Sequence, residues 1–132
     1  MSDNPIILYI EDNPDNRMLV YRVLRAEGFD IHSVPDGPAG LSFLEDTTPH
    51  LILMDINLPE IDGYTLTAVL KGRPELASVP IIALTANVMK GDREKTFEAG
   101  CDGYLQKPIN VDRLGDQIRS FLQVGTLNSS GG

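Results

Sequence analysis

The sequence predicts an α/β domain in which helices cover both faces of a parallel sheet. Five short apolar runs alternate with segments that have the periodicity of amphipathic helices, a pattern typical of a parallel sheet wound with helices. The most apolar runs are continuous rather than alternating, as in strands buried on both faces. Several runs also end in a polar or charged residue, and open α/β sheets bind ligands at that edge.

The predicted strands are four to five residues long and bounded by turn residues. They span residues 6–10, 30–34, 51–55, 80–84 and 103–106. The third, Leu51–Asp55, is the most informative because four apolar residues run directly into a carboxylate. Asp55 alone allows two interpretations: a functional group at the carboxyl edge, or an ordinary turn residue that ends the strand.

The predicted helices follow the strands and have recognisable ends. They span residues 14–27, 39–45, 64–71 and 90–99, with a last helix capped by Asn110. Asn13 and Pro14 form a cap and a first-turn proline, and Gly28 is a typical stop. The spacing predicts inward-facing apolar side chains, among them Leu19, Val20, Val23, Leu24, Leu41, Leu44, Leu66, Val69, Leu70, Val111, Leu114, Ile118 and Leu122.

The loop after the third strand ends at Gly63, for which we predict a positive φ. The Gly/Ser-rich end of the chain predicts a division into a domain, residues 1–124, and a flexible tail, residues 125–132.

Composition indicates a soluble globular protein and excludes several classes. The chain has 132 residues, 42% hydrophobic and 23% charged, which fits one domain with an ordinary core. No apolar run reaches the roughly 20 residues of a membrane span, and the net charge of −8 argues against a nucleic-acid surface. With one cysteine, Cys101, and no secretory signal, the expected setting is the cytoplasm.

Chemically active side chains gather at the predicted strand ends. Strand one ends in Glu11 and Asp12, strand three in Asp55, strand four in Thr85 and strand five in Lys107. If the strand order is 2-1-3-4-5, the three acids converge in one crevice. Their repulsion needs compensation, and oxygen ligands at an open edge suit Mg²⁺.

A carboxylate, a Mg²⁺ site, a hydroxyl and an ammonium group together indicate phosphoryl transfer to Asp55. Carboxylates act as covalent nucleophiles, and the metal and lysine would stabilise charge on the transferred group. Each residue has an ordinary alternative: Thr85 could cap a turn, Lys107 could be a solvated lysine, and the acids after strand one a solvated turn. The combination favours the functional interpretation.

Four segments at and near the strand ends form a distinctive set. They are residues 7–13 (ILYIEDN), 53–63 (LMDINLPEIDG), 84–87 (LTAN) and 103–109 (GYLQKPI). Through these segments, residues 5–123 resemble the receiver domain of two-component response regulators, which has a flavodoxin-like doubly wound sheet with five helices.

The resemblance implies roles for individual residues. Asp55 would accept a phosphoryl group from a phosphohistidine. Asp12, Asp55 and the main-chain carbonyl of Asn57 would bind Mg²⁺, with Glu11 acting through water. Thr85 and Lys107 would contact the phosphoryl group.

It implies further that Tyr104 swings inward with Thr85 on activation and that the bond before Pro108 is cis. The sequence departs from many family members in having Glu11 instead of aspartate, and Asn57 and Asn87 stand at positions that tune dephosphorylation.

The resulting expectation is a phosphorylation switch, not an enzyme with turnover. Its partners would be a sensor histidine kinase or histidine phosphotransfer protein and a downstream protein that reads the face formed by the fourth helix, fifth strand and fifth helix. The chain could be free-standing or part of a hybrid kinase or multidomain regulator. An aspartate-nucleophile phosphohydrolase usually needs a second acid where Asn57 stands, and a flavodoxin-like cofactor binder needs a phosphate loop where residues 11–14 are acidic.

Overall fold

The computed structural model describes residues 4–58, 61, 63–86 and 90–131, with side-chain surroundings for all of these except 90–93 and 123–131. Five parallel strands form one sheet in the order β2-β1-β3-β4-β5. The strands are β1 Ile6–Ile10, β2 Asp30–Val34, β3 Leu51–Asp55, β4 Ile81–Thr85 and β5 Gly103–Gln106. The predicted parallel sheet and its order are confirmed.

Helices connect successive strands. They are α1 Pro14–Ala26, α2 Gly37–Asp46, α3 Gly63–Lys71, α4 Lys90–Glu98 and α5 Leu114–Gly131. A single 3₁₀ turn, Pro74–Leu76, follows α3 and was not predicted. Among the helices that the structure describes, none combines the length and apolar character that a membrane span requires.

Side-chain caps determine where two of these helices begin. The Asn13 side chain accepts hydrogen bonds from the main-chain N–H groups of Asp15 (2.8 Å) and Asn16 (3.1 Å), so α1 starts where predicted. Asp36 accepts from the Ala39 N–H at 2.8 Å, and α2 therefore starts at Gly37, two residues before the predicted start. Asp36 is therefore the cap, and Gly37 and Pro38 form the start of the helix.

The core has two parts, one on each face of the sheet. Side chains of β1 alternate between them, with Leu8 and Ile10 packing beside α2 and α3, and Ile7 and Tyr9 beside α1 and α5. All five residues of β3 are buried. The central strand is therefore held from both sides, which fixes the position of Asp55 at its end.

Three apolar side chains predicted to face inward are exposed: Leu19, Val69 and Val111. In α3, Thr67 is buried whereas Val69 is exposed. The Thr67 hydroxyl donates a hydrogen bond to the Gly63 carbonyl at 2.7 Å, so this polar group has a partner in the core. Val111 precedes α5, which begins only at Leu114.

Gly63 does not have the predicted positive φ. Among the described glycines, positive φ occurs at Gly28 (95°) and Gly100 (107°). Gly63 instead begins α3 at close range to β3: an added Cβ would lie 2.8 Å from the Ile56 Cα and 2.9 Å from the Asp55 carbonyl oxygen. The lack of a side chain thus lets α3 start directly beside the end of β3.

The last helix begins later in the chain than predicted. Asn110 accepts from the Asp112 N–H at 3.0 Å, but this caps a turn, and α5 then runs from Leu114 to Gly131 through the stretch predicted as a flexible tail. A single glycine such as Gly125 weakens a helix without ending it. The division into a domain and a tail stays a prediction.

Candidate functional site

Three carboxylates meet at the carboxyl edge of the sheet. One oxygen from each of Glu11, Asp12 and Asp55 lies within 4.8 Å of the others. The strand order explains the convergence, because β1 and β3 are neighbours and Ile10 pairs with Met54. The structure therefore brings together the acids that the sequence placed at two strand ends.

Asp55 is buried and its two oxygens have different partners. Oδ1 accepts a hydrogen bond from the Asn57 N–H at 2.9 Å, and Oδ2 accepts from the Lys107 Nζ at 2.7 Å. The Lys107 N–H donates to the Thr85 carbonyl at 2.8 Å, which anchors the lysine beside the end of β4. The lysine, threonine and phosphoacceptor candidate thus lie together.

Glu11 is only 1% exposed and is held at both oxygens. Oε1 accepts from the Tyr9 hydroxyl at 2.9 Å and lies 3.5 Å from the Lys107 Nζ. Oε2 accepts from the Asn13 N–H at 3.2 Å. Glu11 is therefore part of the site rather than of a solvated turn.

Two residues around the acids were not predicted from the sequence. Tyr9 contacts Glu11 because residues two apart on a strand lie on the same face, and this spacing is the signal that could have found it. The Arg17 guanidinium donates to the main-chain carbonyls of Glu11 (2.8 Å) and Asp12 (3.1 Å). It fixes the turn that carries the two acids.

The ionisation of the site reflects its burial and its charges. Burial raises the pKa of Glu11, and the hydrogen bond and charge of Asp55 raise it further, while the Tyr9 hydroxyl opposes the shift. Burial, followed by the charge of Glu11, raises the pKa of Tyr9. Burial alone would lower the pKa of Lys107, but the contact with Asp55 and the charges of both acids raise it. The cluster therefore favours additional positive charge.

The raised pKa of Glu11 predicts that the contribution of this residue to the stability of metal-free protein falls as pH rises. In the unfolded chain Glu11 titrates near its ordinary pKa of 4.5, whereas the folded protein keeps the proton to higher pH. Between these two pKa values the folded state binds more protons, so the free energy of unfolding falls with rising pH. Urea unfolding in a chelator, from acid to neutral pH, measures this fall.

The control is Glu11→Gln, which cannot titrate at this position and should show a flatter pH profile. Parallel profiles for the wild type and Glu11→Gln would contradict the shift.

The ion pair of Lys107 and Asp55 predicts a second effect on stability. The Asp55 side chain is 3% exposed, so Lys107→Met leaves a buried carboxylate without its positive partner and without the donor to Oδ2. We expect the free energy of unfolding of metal-free protein at neutral pH to fall by about 1–3 kcal/mol. The loss should be smaller when Lys107→Met is introduced into Asp55→Asn, because the buried charge is then absent.

Lys71→Met is the matched control for this cycle. The Lys71 Nζ lies 2.8 Å from Asp102, and the two lysines are almost equally exposed, but the Asp102 side chain is 46% exposed. Because water can replace the lost lysine there, we expect a smaller loss. Equal losses for the two lysines, without coupling to Asp55, would contradict the prediction.

The remaining predicted residues lie on the neighbouring strands. Thr85 is buried at the end of β4. Tyr104 is half-buried in β5 and contacts Phe97 of α4 edge-to-face, with ring centroids 6.0 Å apart. The bond between Lys107 and Pro108 is cis, as expected. Asn87, together with Pro59 and Asp62 of the loop after β3, falls outside the described residues.

Comparison with known families identifies this arrangement. The sequence pattern of the response regulator receiver domain matches residues 7–119. The chain belongs to the response regulator receiver family. Receiver domains are the phosphorylation-dependent signalling switches of two-component systems, and the acidic cluster of this receiver is consistent with the Mg²⁺ site of the family.

Individual relatives support the assignment along most of the chain. The polar-differentiation response regulator DivK from Brucella anthropi is 40% identical over 116 residues, which cover 88% of this receiver and 94% of DivK. The receiver domain of a sensor histidine kinase from Pseudomonas aeruginosa, solved with a magnesium ion coordinated in its active-site cleft, is 37% identical. Its TM-score is 0.83, with 91% of this chain and 98% of that domain covered.

A further receiver domain, from a histidine kinase of Syntrophus aciditrophicus, is 33% identical. Its TM-score is 0.82, and 90% of each chain is covered. Relatives thus include both a single response regulator and receiver segments of histidine kinases, which leaves open the two settings expected from the sequence.

Proposed function

We propose that Asp55 accepts a phosphoryl group from the phosphohistidine of a sensor histidine kinase or histidine phosphotransfer protein. The observation that supports this most strongly is the position of the Asp55 carboxylate. It is buried at the end of the central strand, 2.7 Å from the Lys107 Nζ and within 4.8 Å of two further carboxylates. A rigid strand end with positive charge on one side and a cation site on the other suits phosphoryl transfer.

In the proposed reaction a carboxylate oxygen of Asp55 attacks phosphorus. The bond from phosphorus to the donor imidazole breaks, its electron pair leaves with the imidazole, and an acyl phosphate forms on Asp55. Lys107 is already in contact with Oδ2, so its ammonium can follow the negative charge onto the phosphoryl oxygens. The Thr85 hydroxyl is proposed as a second donor to these oxygens.

The donor set of the site fits Mg²⁺. Glu11, Asp12, Asp55 and the main-chain carbonyl of Asn57 offer oxygen atoms only, which hard divalent cations prefer, with Glu11 acting through water. Burial raises the pKa of Glu11 most and the negative charge of Asp55 raises it further, so a bound cation would offset the repulsion between these two acids. When bound, Mg²⁺ supplies positive charge for the phosphoryl oxygens.

We propose that phosphorylation shifts the balance between two conformations of the face formed by α4, β5 and α5. Thr85 ends β4, and Tyr104 lies on the neighbouring strand in contact with the exposed Phe97 of α4. Movement of Thr85 toward the phosphoryl group would let Tyr104 move inward and change this surface. A downstream protein would bind one of the two states, and the exchange would take place in the cytoplasm, where Cys101 stays reduced.

The test is incubation of the wild-type protein with Mg²⁺ and acetyl phosphate, followed by intact-mass measurement. We expect one phosphoryl adduct, dependent on Mg²⁺ and released by hydroxylamine, as for an acyl phosphate. Absence of an adduct with both acetyl phosphate and a phosphorylated histidine kinase would overturn the proposal. Continuous hydrolysis of a generic phosphomonoester would favour the phosphohydrolase instead.

A further inference from the structure

We propose that Tyr9 is a positioning residue for the metal site, which holds the Glu11 carboxylate in place through its buried hydroxyl. The inference rests on the proposed Mg²⁺ site. It assigns a function to a side chain that the sequence alone presents as an ordinary core aromatic.

The position of the Tyr9 ring is determined by the core. The residue is fully buried in β1, with Leu53 of β3 as its neighbour in register. Its ring belongs to the apolar cluster formed with α1 and α5. A ring fixed in this way holds its hydroxyl at a defined position beside Glu11.

The hydroxyl and Glu11 form one unit. Tyr9 and Glu11 lie on the same face of the extended chain, and the hydroxyl donates to Oε1 at 2.9 Å. The Asn13 N–H holds the other oxygen at 3.2 Å. Glutamate has one more rotatable bond than aspartate, and a donor on each oxygen restricts this added freedom. Hydrogen-bonding partners of this kind orient metal-site carboxylates.

Tyr9→Phe tests the inference because it removes the hydroxyl and keeps the ring. We expect the dissociation constant for Mg²⁺, measured by titration calorimetry, to rise about tenfold, the size of effect found when such supporting groups are removed. Tyr21→Phe is the matched control: its hydroxyl accepts a hydrogen bond from Arg25 on the exposed side of α1, away from the acids. That variant should bind Mg²⁺ as the wild type does.

The same substitution in a Glu11→Asp background separates positioning from general packing. An aspartate is shorter by one carbon–carbon bond, about 1.5 Å, and falls out of reach of the Tyr9 hydroxyl. We therefore expect Tyr9→Phe to change Mg²⁺ affinity by less than about twofold in that background, which is strong coupling between the two positions. Circular dichroism and urea unfolding establish that each variant is folded.

An unchanged Mg²⁺ affinity in Tyr9→Phe would overturn the inference. So would an equal loss in both backgrounds, because Tyr9 would then act on the fold and not through Glu11. If Tyr9→Phe did not fold, Tyr9→Met would replace it, because methionine also lacks the hydroxyl and adapts to an irregular space in the core. An unchanged Mg²⁺ affinity in that variant would overturn the inference. Failure of the wild type to bind Mg²⁺ would refute the proposed metal site itself.

Discussion

Replacing Asp55 with asparagine is expected to abolish the stable phosphoryl adduct formed with Mg²⁺ and acetyl phosphate. The amide has no anionic oxygen to attack phosphorus, so the nucleophile is lost. Asparagine has nearly the same shape, and its side-chain oxygen can still accept the hydrogen bond that the Asn57 N–H donates to Oδ1 at 2.9 Å. The fold should therefore persist. Intact mass measures the loss of the phosphoryl adduct, and urea unfolding shows whether the variant is still folded.

Asp46→Asn is the control for this substitution. Asp46 is an exposed aspartate at the end of α2, so its loss changes the net charge equally without touching the crevice. We expect Asp46→Asn to form the adduct to the same extent as the wild type. An adduct on Asp55→Asn of the same amount and stability as on the wild type would remove Asp55 from the reaction.

Replacing Asp12 with asparagine is expected to raise the dissociation constant for Mg²⁺ by about 100-fold. A unit charge about 4 Å away contributes roughly 4 kcal/mol at an effective dielectric constant of 20, and exposure to water reduces this for Asp12. Because Asp12 is exposed while Glu11 and Asp55 are buried, its substitution should leave the core intact. Titration calorimetry measures the affinity directly.

Asp15→Asn serves as the control for Asp12→Asn. Asp15 lies three residues further along, in the first turn of α1, and is also exposed. It is not among the acids whose oxygens lie within 4.8 Å of one another. If the two variants lost the same modest amount of affinity, a general effect of charge would explain both, and Asp12 would not be a ligand.

The strands could be predicted from the sequence because their burial is encoded in continuous apolar runs. Leu51–Asp55 was predicted with the same bounds that the structure has. Helix surfaces were harder to predict, because an apolar stripe does not reveal which of its edges faces solvent. Leu19 and Val69 lie on such edges and are exposed. Thr67 is buried because a partner for its hydroxyl is available in its own helix, which periodicity cannot show.

The site was predictable to the extent that it is made of strand ends. The parallel sheet brings Glu11, Asp12 and Asp55 together whatever their side-chain contacts. Tyr9 was missed because a tyrosine in a buried strand is usually a core residue, although its two-residue spacing from Glu11 places both side chains on one face. For Gly63, the sequence cannot distinguish a positive φ from the close approach of α3 to β3 that the structure has.

Chemical mapping of the phosphoryl group tests the central claim most directly. Borohydride reduces an aspartyl phosphate to homoserine, which peptide mass spectrometry locates. After phosphorylation with Mg²⁺ and acetyl phosphate, we expect homoserine at position 55 and unmodified Glu11 and Asp12. Homoserine at position 12, modification of another residue, or phosphorylated protein without any reducible acyl phosphate would contradict the assignment of Asp55 as the phosphoacceptor.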